Sequence, residues 1–176
     1  MKRLVVIALV VMATVAAVSA QSGAWTRQAS DDGRFSIAAP CTLQIEKGFT
    51  PRNGDDPSFN SFLYICSPVP VVGEMYLGGW VEYEAGYRFG DDAELKANRD
   101  NLIKGVGGTL LTSGPVTYAG RTGIEFTVNV KGANLITSRA FIVGLRPYQI
   151  AIMTPIGQDR SENIRRFLDS LRLPSP

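Results

Sequence analysis

Thr122-Gly123-Ile124-Glu125-Phe126-Thr127-Val128-Asn129-Val130 sets Ile124, Phe126, Val128 and Val130 against the polar Glu125, Thr127 and Asn129. A period of two is the signature of a strand with one buried face and one wet face. Tyr118-Ala119-Gly120-Arg121 turns the chain into this stretch, and Lys131-Gly132-Ala133-Asn134 turns it back into the apolar run Leu135 to Val143. Gly144 to Pro147 turns it again into Tyr148 to Met153. Three strands joined by such short loops read as an antiparallel meander.

Downstream, Asp159 is placed to cap a closing helix, with Glu162 three residues on and Ile164, Phe167, Leu168 and Leu171 as its core stripe. Arg165 and Arg166 fall off that stripe and read as solvated. Upstream, Asp91 to Val106 is a helix with Asp91 and Glu94 as a capping box and Leu95, Leu102, Ile103 and Val106 on one face. Gly105, Gly107 and Gly108 stop it. Met75 to Tyr83 is an amphipathic strand, and Phe62 to Cys66 is a second, apolar one stopped by Ser67-Pro68-Val69-Pro70. Lys47 to Asn60 is a surface loop with a tight turn at Asn53-Gly54. Phe35 to Ala39 and Thr42 to Glu46 read as an opening hairpin, preceded by a polar lead-in that ends at Asp31-Asp32-Gly33. The expected class is α+β, an antiparallel sheet of about six to seven strands packed between or against helices.

Several segments resemble PsbP-like (Mog1/PsbP) domains. They are Gly120-Arg121-Thr122-Gly123-Ile124-Glu125-Phe126, then Ser138-Arg139-Ala140-Phe141-Ile142-Val143-Gly144-Leu145-Arg146-Pro147-Tyr148-Gln149-Ile150, and Arg166-Phe167-Leu168-Asp169-Ser170-Leu171-Arg172-Leu173. Gly33-Arg34-Phe35-Ser36-Ile37 and Ala39-Pro40 look like that family's opening strand. The resemblance implies an α/β/α sandwich and a noncatalytic domain that binds a larger partner. It carries over no functional residue, and Cys41 and Cys66 are not a pattern of the family as a whole.

The first twenty residues read as a secretory signal peptide: Met1-Lys2-Arg3, an apolar run from Leu4 to Val18, and the small residues Ser19-Ala20. This divides the chain into a leader at residues 1–20 and one domain at residues 21–176. Of 18 basic side chains the leader holds Lys2 and Arg3, so the mature chain balances 16 basic against 16 acidic groups. A neutral chain has no surplus charge to drive binding to nucleic acid or an anionic membrane. No cysteine follows the cleavage point to carry a lipid, so the expected product is exported, periplasmic or secreted, and soluble. In an oxidising compartment Cys41 and Cys66 read either as one disulfide, worth roughly 3 kcal/mol, or as two buried free thiols.

The chain has no histidine. That removes Ser-His-Asp and Cys-His catalysis and the usual zinc sites. No nucleophile elbow, P-loop or dinucleotide glycine pattern occurs, and Asp55-Asp56 lacks the alternating oxygen ligands of a calcium loop. The expectation is a chain that is not an enzyme and has no cofactor or metal. One constellation suggests binding: Tyr76, Trp80, Glu82 and Glu84 alternate along one strand face, with Arg139 as a neighbouring counter-charge. Such a face suits a glycan or cation, while the plainer reading is a solvated strand whose glutamates are ion-paired. The leading expectation is a noncatalytic module that binds or helps assemble a protein partner at the envelope. The alternative is a carrier of a small apolar ligand, its cavity lined by Phe62, Tyr64, Phe126, Phe141 and Tyr148. A hydrolase using Glu82 and Glu84 is the outlier, because adjacent same-face carboxylates do not flank a bond.

Overall fold

The strand of alternating residues at 122–130 is hydrogen-bonded on both sides. The computed structural model describes residues 24–68, 73–158 and 160–173. The leader at 1–20, the Val69-Pro70 stop and the Asp159 cap lie outside them. In chain order the elements are β1 Thr26–Ala29, β2 Ser36–Ala39, β3 Gln44–Thr50, β4 Phe59–Cys66, β5 Met75–Tyr83, α1 Asp91–Val106, β6 Thr109–Tyr118, β7 Arg121–Val130, β8 Asn134–Val143, β9 Arg146–Pro155 and α2 Ser161–Leu168. Seven strands form one antiparallel sheet in the order β3-β4-β5-β9-β8-β7-β6, and β1 pairs with β2 in a separate ribbon.

The register explains the two cores. Trp80 lies opposite Tyr148 and Gly78 opposite Ile150, so the even positions of β5 and β9 share a face. On that face Tyr76, Trp80, Tyr148, Ile150 and Ile152 meet Phe35, just before β2, Ile37 of β2, and Phe167, Leu168 and Leu171 of the α2 segment. Each such side chain contributes roughly 1.5–3 kcal/mol of burial. On the other face Phe126, Val128, Ile136 and Ala151 pack with Leu102, Ile103 and Val106 of α1. Helix α1 lies over β7 and β8, whereas α2 lies over β8, β9 and β2. Helices therefore cover both sides of one sheet, an α+β arrangement in which the sheet is the middle layer. Gly78 is small for a packing reason, since a Cβ there would lie 2.5 Å from the Phe35 ring.

Four local expectations are corrected. Residues 35–39 and 42–46 do not form a hairpin: β2 pairs with β1, hidden in the polar lead-in, and β3 pairs with β4. Pro40 breaks the chain between them, and the Cys41–Cys66 disulfide, with Cα atoms 5.8 Å apart, anchors the break to the end of β4. Strand β3 also takes in Lys47 to Thr50, residues that read as the start of a loop. The α1 capping box is absent: Gly90 is the N-cap without a side-chain bond, and Glu94 is engaged elsewhere. Strand β6 carries Gly114 and Pro115 and a bulge between Leu110 and Thr112, which hid it from any alternation pattern. Proline is tolerated there because β6 is an edge strand.

Candidate functional site

Strand alternation does put Tyr76, Trp80 and Glu82 on one face, but that face is the larger core. Tyr76 is fully buried, its ring packed edge-on to Trp25 and Phe167, and its hydroxyl donates to Glu74 at 2.7 Å. Trp80 is also buried, stacked on Phe62 with ring centroids 4.7 Å apart. Its indole N–H donates to Glu82 at 3.3 Å, and Glu82 is ion-paired with Arg146 at 2.8 Å. Glu84 lies past the end of β5, accepts from the Ser58 hydroxyl at 2.6 Å and pairs with Arg52, closing the β3–β4 loop.

Arg139 does not join this group. It sits on β8, where it binds Glu125 of β7 at 2.5 Å and Asp169 beyond α2 at 2.7 Å. Partial burial alone would lower its pKa, but the hydrogen bonds it donates to the Asp169 and Glu125 carboxylates hold it above the ordinary arginine value. The counter-charge of Glu82 is Arg146 instead, two residues beyond the last β5–β9 pair, Trp80 with Tyr148, on each strand. Tyr76 and Arg139 are therefore core and inter-strand residues, not members of a binding face.

Four of the five rings expected to line a cavity fill the interior instead, and the fifth, Phe62, is half-buried. Tyr64, Phe126, Phe141 and Tyr148 are all buried, and Phe126 belongs to the opposite core from the other three. Trp80 and Glu82 border a cleft of about 180 Å³ with Tyr64, Asp31, Asp32 and Lys47. That is small beside the roughly 300–1,000 Å³ of ligand sites. Its charges already have protein partners. Asp31 faces Lys47 at 3.8 Å, and Asp32 accepts from Ser30 at 2.6 Å and from the Arg34 amide at 3.1 Å.

A predominantly apolar concavity lies on the other face, whereas two more open and more polar hollows, of about 440 Å³ beside Glu82 and Arg146 and about 650 Å³ beside Glu162, Arg165 and Arg166, lie elsewhere on the surface. Because α1 rests on β7 and β8, the same side of β4, β5 and β9 is left beside the helix as a trough of about 360 Å³. Leu63, Leu77, Val81 and Ala151 supply its floor, and Asn98, Leu102 and Val106 its wall. Phe62 and Trp80 also border it, but their rings pack in the opposite core, so the trough takes their backbone. No charged residue lines it. The helix wall is held at its first turn by Tyr83, whose hydroxyl donates to buried Glu94 at 2.5 Å. Burial, together with that bond to a carboxylate, pushes the Tyr83 phenol far above its usual range.

No family model matches the chain, and no curated protein matches it in sequence. In three dimensions it is similar to the solution structure of cyanobacterial PsbP (CyanoP) from Synechocystis sp. PCC 6803, with a TM-score of 0.56 and 10% identity, over 92% of this chain and 98% of that one. The fold is PsbP-like. At that identity the likeness carries the architecture and no chemistry. Among the described residues no helix is long and apolar enough to cross a membrane, and no group of three or more Cys, Asp or Glu side chains is placed to hold a metal ion.

Sequence reasoning missed the trough and an ion pair made by a buried glutamate. Glu74, the residue before β5, meets Arg160 at 3.0 Å, with the Glu74 side chain 4% exposed. Nothing in the sequence brings positions 74 and 160 together. The trough had a partial signal: Leu77, Gly79 and Val81 are an apolar odd-numbered series on a strand whose even positions are apolar too. A strand apolar on both faces is covered on both faces, or leaves one face for something else.

Proposed function

We propose that this chain is an exported, soluble, noncatalytic domain that binds a protein partner at the cell envelope by adding an extended partner segment to the free edge of β3. The observation that carries this reading is the state of that strand. All seven residues of Gln44–Thr50 are exposed, Phe49 is 66% exposed, and β3 ends the sheet. Ile45, Lys47 and Phe49 share one face by alternation. The opposite edge, β6, is interrupted by its bulge and by Pro115, devices that block strand addition. Strand β3 has neither, so its outer N–H and C=O groups are available for a new strand, with Ile45 and Phe49 offering side-chain contacts.

Three further features support the reading. The leader-like first twenty residues and the Cys41–Cys66 disulfide fit an oxidising compartment. The glutamates singled out for hydrolysis, Glu82 and Glu84, are each ion-paired with an arginine, which leaves neither poised as acid or nucleophile. The test is a photo-reactive amino acid placed at position 49 in the native cells. The expected result is one discrete crosslinked protein, lost when Gly48→Pro removes the strand's regular geometry. Equal yields of the same adduct from position 111, on the β6 edge, would reject the edge-addition reading.

A further inference from the structure

We infer that the trough beside α1 is a binding site for a single unbranched acyl chain, held by its hydrocarbon with the polar head left in water. This site lies on the α1 side of the sheet and does not depend on the β3 edge.

Its shape follows from residue sizes and spacing. Ser61, Gly79 and Ala151 are small where the paired strands present Val81, Leu63 and Leu77, so a line of small side chains crosses the floor diagonally from β4 to β9. Asn98, Leu102 and Val106 recur every four residues and so form one stripe of α1, about 12 Å long at the helical rise. Leu77 to Val81 spans about 13 Å of strand. Wall and floor therefore run for similar lengths and bound a space of about 360 Å³, within the range of small-molecule sites.

Its chemistry selects the occupant. The rings beside it, Phe62 and Trp80, stack with each other in the opposite core, so no aromatic face is offered to a sugar or a planar ligand. No lysine or arginine lines it, so a carboxylate or phosphate inside would have no counter-charge. Its two amides already use their NH₂ groups within the protein: Gln149 donates to Ser138 at 3.0 Å, and Asn98 donates to the Glu94 carbonyl at 3.0 Å. Apart from the Ser61 hydroxyl and the two amide oxygens, what remains for a ligand is aliphatic surface, half-buried at Leu63, Leu77, Val81, Leu102 and Val106. A hydrocarbon chain covers that surface without bringing a polar group that needs a partner.

The experiment is a titration of the purified protein with dodecanoate below its micelle concentration, followed by amide NMR. Saturable shifts are expected at Leu63, Leu77 to Val81, Gln149, Ala151 and residues 98–106, with little dependence on salt. Ala151→Leu places a branched side chain on the floor and is expected to weaken binding about tenfold or more, the scale of one misplaced methylene in a pocket. Leu102→Gln, at a half-buried wall position, serves if Ala151→Leu does not fold, and is expected to weaken binding while leaving shifts on the α2 face unchanged. The inference is overturned if wild type shows no saturable shifts, if they map to β3 or the α2 face, or if a folded variant binds dodecanoate as wild type does. A concentration-dependent dimer that seals the trough and excludes dodecanoate also overturns it.

Discussion

Tyr83, the last residue of β5, donates its hydroxyl to Glu94 in the first turn of α1 at 2.5 Å, and this bond fixes the helix against the sheet at one end of the trough. Asn98 also donates to that carboxylate, at 3.2 Å, so Tyr83→Phe leaves a buried acceptor with one of its two side-chain donors. The expected loss is about 1–2 kcal/mol in denaturant unfolding. Hydrogen exchange at the start of α1 should quicken. Wild-type exchange rates in the variant would show that the bond does not position the helix.

The same phenol gives an alkaline signature. Its folded pKa lies above its unfolded value of 10.0, through burial first and the Glu94 carboxylate second. A raised folded pKa means that the stabilisation is fully present below pH 10 and is lost as pH climbs beyond it. Tyr76, buried against Glu74, behaves alike. Ultraviolet titration should show these two tyrosines ionising only as the protein unfolds, and Tyr83→Phe should flatten the alkaline limb. Early, reversible ionisation of all six tyrosines in the folded state would contradict this.

Glu74 and Arg160 form an ion pair in which only the glutamate is deeply buried. Arg160→Ala should therefore destabilise by about 1–3 kcal/mol, because it leaves the buried Glu74 carboxylate with only the neutral Tyr76 hydroxyl and Asn163 amide as partners. The double variant Glu74→Gln/Arg160→Leu should recover most of that loss. Equal destabilisation by the single and double variants would show that packing, not charge, is what Arg160 supplies.

The disulfide closes a loop with a sequence separation of 25. Cys41→Ser/Cys66→Ser should lower stability by about 3 kcal/mol in the chain-entropy model. A shift of the denaturation midpoint on adding reductant to wild type, absent in the double variant, checks it.

Ala119 holds φ at +49° in the β6–β7 turn, next to Gly120 at +75°. A left-handed alanine is strained, and asparagine favours both positive-φ positions of this turn type. Ala119→Asn should raise the melting temperature, by an amount equivalent to at most about 1 kcal/mol, part of the left-handed cost of alanine. An unchanged or lower value would mean that neighbouring contacts already compensate the strain.

The sequence determined whatever repeats within one element. Alternation gave the partners of β7, β8 and β9, the four-residue stripe gave the extent of α1, and glycines at 107, 132 and 144 marked ends where φ is positive. Residues 75–83 were legible as a strand, and Ile164, Phe167 and Leu168 as the buried side of α2. Tertiary structure alone decided which strand meets which across long separations. It paired β2 with β1 rather than with the next segment, gave Glu82 to Arg146 rather than Arg139, and joined Glu74 to Arg160. It also decided the trough, since a hollow exists only where α1 settles on β7 and β8 and leaves β4, β5 and β9 beside it. The physical reason is that periodicity reports which side of an element avoids water, while partners and empty space depend on how several such sides are stacked.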